Sequence, residues 1–427
     1  MKNIIIKLFN LEPDDIKEID ILSKGLEAFV FITLSLRIHP CPKCNLPTTR
    51  VKDYYNRTIS HPILNGINTT IIYRRRRLYC PHCGHSFMEE SPFSTTGRRI
   101  SKYTILRVMS ELKDYKTTFS KVAINCDISE TTVRRIFDEH AIVPDFYFPE
   151  VMCIDEVYTN KHTQQVYACV LLDFETREVI ELLPQRKKYY LMNYFTKFPE
   201  EMRNTVKYVC IDMWEPYRDV SKLLFKNAKI CTDPFHVIKL VNYAFNKVRI
   251  RIMNEFKSDT EEYYLLKKFP KLLLKDYDSL ENKKNIKIYK KISFMYTNEI
   301  EPQALILAML EISPELEAAY ALKEDLRKIY KNATADNAGN LLNGFYDDIR
   351  LIGIPEFINC MTTMKKWNDE IINSFDAMYG RRISNGALES VNSRIKNIKR
   401  NANGYRRFER FRKRVLYSLN KKSNIKF

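Results

Sequence analysis

The chain has 427 residues, 45% hydrophobic and 29% charged, a balance that suits globular domains and excludes a disordered or low-complexity chain. Lysine and arginine outnumber aspartate and glutamate by 70 to 52, giving a net charge of +18 and a pI near 9.3, which points to a polyanionic partner. No membrane partner is expected: apolar runs such as 304–310 fall far short of the ~20 residues of a spanning helix, and positions 1–10 lack a signal peptide's apolar centre.

That leaves nucleic acid, a cytoplasmic location, and about three domains by length. In a reducing compartment the ten cysteines are expected as metal ligands or buried thiols rather than disulfides.

In chain order, the first motif is a pair of matching turns, Cys41-Pro-Lys-Cys44 and Cys80-Pro-His-Cys83. Two such turns supply the four thiolates that a structural Zn²⁺ takes in a tetrahedron, with no position left open for catalysis. Asn45 and Gly84 follow the two turns and suit the positive φ that such knuckles need. The linker between them is long enough for an extended hairpin, and Arg74, Arg75, Arg76 and Arg77 form a dense positive run before the second turn.

Residues 119–126 then read as a short helix, and Ser129 as the N-cap of a second helix over 130–140. Val122, Ile128, Val133 and Ile136 fit the apolar junction of a helix-turn-helix. Thr131, Thr132, Arg134 and Arg135 fall at the start of the second helix, where a recognition helix meets the major groove.

From 151 to 233 the pattern changes to short apolar strands. Val151-Met-Cys-Ile-Asp155-Glu156 and Tyr208-Val-Cys-Ile-Asp212 are alike, each running into Cys-Ile-Asp. The predicted order β-β-β-α-β-α-β-α resembles the ribonuclease-H-like fold, which places Asp155 and Asp212 side by side. Paired carboxylates suit phosphodiester chemistry, where two Mg²⁺ about 4 Å apart activate the nucleophile and hold the leaving oxygen.

A third carboxylate is expected on a later helix. In 384–398, Leu388, Val391, Ile395 and Ile398 form a core stripe, and Glu389, Asn392 and Lys396 fall on another face. Glu156, Asp173, Glu215 and Asp233 are the alternative ligands. Beyond Glu389, the segment 394–414 carries Arg394, Lys396, Lys399, Arg400, Arg406, Arg407, Arg410, Arg412, Lys413 and Arg414 against a single acid, Glu409. It is expected to track DNA phosphates.

Together these features resemble the DDE transposases of the bacterial ISL-three insertion-sequence family. The twin turns, the helix pair, Cys-Ile-Asp155-Glu156, Ile211-Asp212-Met-Trp-Glu-Pro-Tyr217, Asp233-Pro-Phe-His236 and Asn385-Gly-Ala-Leu-Glu389-Ser-Val-Asn392 carry the resemblance. It implies Asp155, Asp212 and Glu389 as the catalytic, Mg²⁺- or Mn²⁺-binding triad. It also implies Asp233 and His236 as an accessory element. By their charge and position, Arg74–77, the helix-turn-helix residues, Asn392, Lys396, Lys399 and Arg400 are expected as DNA contacts. The implied partners are double-stranded DNA, both element ends and target, and further copies of the chain on it.

The resulting expectation is a multidomain α+β protein. It has an N-terminal segment (1–35), a zinc-ribbon-like module (36–95), a helix-turn-helix region (96–145) and the first part of a ribonuclease-H-like α/β core (146–240). An α-helical insertion (241–378) and a final segment with the core's C-terminal helix and a basic tail (379–427) complete it. Within the insertion, Trp367 and the lysine-rich stretch 267–291 are weighed as DNA contacts against buried core and solvated face. The rival to a transposase is a DNA-binding protein without catalysis, a repressor or a decayed element.

Overall fold

A computed structural model describes residues 6, 9, 11–25, 27–64, 67–94, 99–159, 166–290, 292–293 and 297–426. Most of positions 1–10, and Lys291 at the end of the lysine-rich stretch, lie outside the described residues. The chain gathers into two units, one of residues 1–145 with 394–427 and one of residues 146–393. No helix among the described residues is long and apolar enough to cross a membrane.

The first unit opens with a five-stranded sheet. Its order is Ile16–Lys24, Glu27–Leu34, Ile67–Tyr79 and Val51–Leu64, with Ser86–Met88 also paired to Ile67–Tyr79. The two long strands form an antiparallel hairpin, and strand alternation turns Ile59, Ile71 and Tyr73 inward onto Val30, Ile32 and Phe93.

Helices Lys102–Glu111, Phe119–Cys126 and Glu130–His140 follow. Each is capped by the hydroxyl that local chemistry favours, Ser101, Thr118 and Ser129, accepting from a backbone N–H in the first turn. Asp127 closes the second helix in the left-handed region at φ 51°, a conformation an aspartate tolerates better than most residues, and this turns the chain sharply toward Ser129. Val122, Val133, Ile136 and Phe137 are fully buried at the junction, with Ile128 packed against them.

That small core is completed from the far end of the chain. Helix Phe408–Leu419 inserts Tyr417 into the same cluster, and Asn424–Ile425 pairs with Ala141–Ile142. This departs from the expected grouping of 379–427 with the catalytic core. Arg414 shows why: 1% exposed, it donates to the carbonyls of Leu112, Asp114 and Thr117, the last two at 2.9 Å. The three carbonyls lie in the connection between Lys102–Glu111 and Phe119–Cys126, where helix ends leave backbone groups in need of donors.

The second unit is built on another five-stranded sheet, ordered Val179–Leu183, Tyr167–Asp173, Val151–Tyr158, Tyr208–Ile211, Lys229–Thr232. The first three strands are antiparallel, and the last two run parallel to Val151–Tyr158. Both faces are buried, which is why these strands read as nearly unbroken apolar runs.

On one face Met152, Ile154, Val209 and Ile211 share a core with Leu191, Phe195, Tyr217 and Val220 of helices Lys188–Phe195 and Glu215–Leu224. On the other, Cys153, Cys210 and Cys231 stand in register, and segments near Asn373 and Ser384 cover them.

The helices between Asp233 and Ser384 continue the same core rather than forming a separate one, with Leu316, Leu326, Phe345, Phe357 and Trp367 belonging to one cluster with the sheet. Trp367 is 3% exposed, and the Arg218 guanidinium lies 4.3 Å over its ring, so it is a core residue and not a DNA contact.

Replacing Arg414 tests the role of the C-terminal helix. Arg414→Ala removes a buried guanidinium and its hydrogen bonds to the carbonyls of Leu112, Asp114 and Thr117, and lowers stability by about 3 kcal/mol, read as a fall in the melting midpoint of the first unit. A substitution at exposed Arg400 leaves stability within about 0.5 kcal/mol of the parent.

Candidate active site and metal centres

The four cysteines of the twin turns converge, with one sulfur each lying within 4.8 Å of all the others. The Cys41–Cys83 and Cys44–Cys80 sulfurs are 3.6 and 3.5 Å apart. Zn–S bonds of ~2.3 Å in a tetrahedron imply edges of about 3.8 Å, so the cage is of zinc size.

The two knuckles share one backbone pattern. Asn45 N–H donates to Cys41 O and Gly84 N–H to Cys80 O, while Cys41 and Cys80 N–H donate to the carbonyls of Leu46 and His85. Asn45 at φ 60° and Gly84 at φ 70° occupy the left-handed position, so the asparagine does the same work as the glycine.

In the second unit the carboxylates of Asp155, Glu156 and Asp212 each place an oxygen within 4.8 Å of the others. Asp155 and Glu156 are adjacent in the Val151–Tyr158 strand, and Asp212 follows the end of Tyr208–Ile211, the neighbouring parallel strand. Burial and the charges of Glu156 and Asp155 push the Asp212 carboxyl up to about 7, against a pull downward from Arg186. Asp212 Oδ1 and Glu156 Oε2 are buried and lack a hydrogen-bond donor among the described residues. A divalent cation would satisfy both, and an all-oxygen donor set suits a hard ion.

Glu389 does not belong to this triplet. It is exposed, in the first turn of helix Gly386–Asn401. The same helix does reach the site, because Asn392 Nδ2 donates to Asp155 Oδ2 at 2.8 Å and to Glu156 O at 3.3 Å. Glu389 precedes Asn392 by three positions and so lies one turn away on the same face. Asn392 is 6% exposed and engaged with Asp155, so its role is internal, correcting its expected DNA contact.

Asp233 holds this helix in place. Buried at 3% exposure, it accepts from the backbone N–H of Asn385 at 3.1 Å, and Asn385 Nδ2 donates to Ile154 O at 3.2 Å. Asn385 O in turn accepts from Leu388 and Glu389 N–H and starts the helix. Burial raises the Asp233 carboxyl above its ordinary value; the Asn385 hydrogen bond and the charge of His236 oppose that shift, and Glu389 adds to it. Sequence reasoning named Asp233 but missed Asn385, although the Asn-Gly before the helical stripe was a signal for a helix start.

It also missed Arg186. Arg186 Nη1 lies 2.7 Å from Glu156 Oε1, and its guanidinium sits 4.5 Å from the centroid of Tyr167 and 4.6 Å from that of Trp214. No local pattern announces it.

The four arginines of the basic run 74–77 do not share one environment. Arg74 is exposed with its guanidinium 4.5 Å over the Tyr54 ring, and Arg77 stacks on Tyr55 and pairs with Asp53. Arg75 donates to Glu89 O. Arg76 is 3% exposed, paired with Glu89 at 3.0 Å and donating to the carbonyls of Leu34 and Ser35. Arg76 is therefore a strut inside the zinc-bearing module, and the expected four-arginine surface is corrected at that position.

On Glu130–His140, Thr131, Arg134 and Arg135 are exposed, with Arg134 paired to Glu130, while the Thr132 hydroxyl contacts Ser129 at 2.9 Å. In the C-terminal segment Lys396 and Arg400 are exposed and Lys399 half-buried. Arg414 is internal and Arg410 is paired with Asp138, so neither belongs to the expected phosphate track.

Comparison with known proteins agrees with this anatomy. A family model described as a transposase, of the DDE type and the ISL3 family, matches residues 152–415, and the chain belongs to that family. A second model, the zinc finger of transposases IS204/IS1001/IS1096/IS1165, matches residues 37–83, the segment bearing the four cysteines. The transposase for insertion sequence element IS1001 of Bordetella parapertussis is 23% identical over 392 residues, 91% of this chain and 90% of that protein. The transposase for element IS1557 of Mycobacterium tuberculosis is 24% identical over 257 residues, 59% of this chain and 56% of its own length.

Two measurements check the metal centres. Removing metal from the reduced protein with a strong chelator unfolds the cysteine-bearing module, seen as lost protection of amides over 41–88, and zinc restores it. At Asp212 the folded carboxyl keeps its proton up to about 7, whereas the unfolded one loses it near 3.8. The folded state therefore holds more protons between those values, and stability falls as pH rises through them. Metal-free protein should lose roughly 2–4 kcal/mol from pH 4 to pH 8 relative to Asp212→Asn, in which this dependence disappears.

Proposed function

We propose that the protein cuts the ends of an insertion sequence and joins them to target DNA, using a ribonuclease-H-like core and a divalent-metal centre at Asp155 and Asp212. The observation that carries this reading is the meeting of carboxylates from two adjacent strands, with orphaned oxygens, in a chain of the transposase family. Strand order supports the fold assignment: three antiparallel strands followed by two parallel ones, with the acidic pair on the first and fourth strands in sequence.

Asp155 and Asp212 would hold the metal, with Glu389 on the adjoining helix as the third carboxylate of the family pattern and Glu156 as a further donor at the site. Two bound Mg²⁺ or Mn²⁺ ions would supply the Lewis acidity for attack by water or a 3′-hydroxyl on a phosphodiester. Asn392 holds Asp155 in one rotamer by hydrogen bonding, and Asp233, through Asn385, keeps the helix against the strand end.

DNA recognition is assigned to the first unit. Helices Phe119–Cys126 and Glu130–His140 have the tight turn and buried junction of a helix-turn-helix, and Thr131, Arg134 and Arg135 are exposed where base edges would be read. Arg74 and Arg77, braced on Tyr54 and Tyr55, and Lys396, Lys399 and Arg400 would contact phosphates. Several copies of the chain would pair the two element ends.

Asp155→Asn and Asp212→Asn should each lower end cleavage by at least about 10³-fold, ~4 kcal/mol of transition-state stabilisation, while leaving end binding unchanged. A cleavage assay on DNA carrying the element ends with Mg²⁺ reads this, and an Asp155→Asn protein that still cleaves would overturn the assignment. Neutralising Lys396, Lys399 and Arg400 together should weaken binding to specific and random DNA alike. It should also flatten the salt dependence by roughly 0.9 for each phosphate no longer neutralised.

A further inference from the structure

Three carboxylates within a few ångströms repel one another, and the protein places one cation among them with unusual care. Arg186 lies in the turn before helix Lys188–Phe195. Its guanidinium contacts Glu156 Oε1 at 2.7 Å, and the rings of Tyr167 and Trp214 lie 4.5 and 4.6 Å from its centre. Tyr167 belongs to the strand paired with Val151–Tyr158, and Trp214 stands two residues beyond Asp212. A strand of the sheet and the N-cap of helix Glu215–Leu224 thus hold the cation on the rim of the carboxylate cluster.

Arg186 is 29% exposed and Glu156 24%, so solvent and a phosphate can reach the guanidinium. Glu156 uses one oxygen on Arg186, while its other oxygen is buried without a donor among the described residues. A planar guanidinium suits this place, since it stacks on aromatic faces while donating in its own plane to a carboxylate or a phosphate.

We propose that Arg186 is a catalytic residue of the transposition reaction: in metal-free protein its charge substitutes for the absent cation at Glu156, and once metal is bound it is released to the phosphate of the DNA. This rests on the metal-centre reading above. It makes Arg186 a competitor of the metal before DNA arrives and a partner of the substrate afterwards, two roles with opposite signs in measurement.

The test uses the full-length zinc-loaded protein without DNA, titrated with Mn²⁺ and followed calorimetrically, with Asp155→Asn as the blank. Arg186→Met keeps an unbranched side chain between the two rings and removes the charge. It should bind Mn²⁺ about tenfold more tightly than the parent, because a competing positive charge a few ångströms from the ion is gone. At saturating Mn²⁺, the same variant should cleave end-bearing DNA about a hundredfold more slowly, for want of a charged hydrogen bond to phosphate.

Should Arg186→Met fail to fold, as shown by its melt, Arg186→Gln provides the same two readouts. In a folded variant, Mn²⁺ affinity equal to or weaker than the parent's, or cleavage at saturating Mn²⁺ as fast as the parent's, as a purely structural arginine would give, overturns the proposal. Parent protein that takes up no Mn²⁺ beyond the Asp155→Asn blank overturns the metal-centre reading itself, and the proposal with it.

Discussion

Carboxylates can gather in a protein interior only when their repulsion and desolvation are offset, and the second unit is organised around meeting that condition. Asp155 takes a hydrogen bond from Asn392, Glu156 takes a guanidinium from Arg186, and Asp212 holds its proton to about 7. Each solution recruits a different part of the chain. Asn392 comes from the Gly386–Asn401 helix, Arg186 from the turn before Lys188–Phe195, and the proton from burial between strands.

The position of the Gly386–Asn401 helix follows from a second set of buried polar bonds. Asp233 caps the end of one strand and accepts from Asn385, which also reaches Ile154 O on the strand bearing Asp155. A long helical stretch intervenes between Asp233 and Asn385 in sequence, and it returns the chain to the sheet because its helices share the sheet's own hydrophobic core. Without this packing, Glu389 and Asn392 would separate from the aspartates although neither had been touched directly.

Net charge is a poor guide to which cations face DNA. Arg76 and Arg414 are among the most buried charged residues, and both serve backbone carbonyls left over by neighbouring elements. Arg410 is held by Asp138. What remains exposed is a smaller set, including Arg74 over the Tyr54 ring, while half-buried Arg77 stacks on Tyr55 and pairs with Asp53. A guanidinium braced on an aromatic face gives up less side-chain freedom on meeting a phosphate than a free lysine does.

The local features of this protein were legible in its sequence because local chemistry decides them. The CPxC turns with Asn45 and Gly84, the Ser129 cap, the twin Cys-Ile-Asp strands and the apolar stripe of Leu388, Val391, Ile395 and Ile398 each follow from spacing and residue type over a few positions. Their outcome is insensitive to what packs around them. What only tertiary structure decided depends on partners far apart in the chain. Arg186 meets Glu156 because the turn before Lys188–Phe195 reaches the central strand of the sheet, and Asn392 points to Asp155 because Asp233 fixes the helix start. Arg414 is buried because the C-terminal helix brings it to the carbonyls of Leu112, Asp114 and Thr117. Sequence counts such a residue as a surface charge, since burial of a cation requires donors and acceptors to meet in space, and that meeting has no local signature.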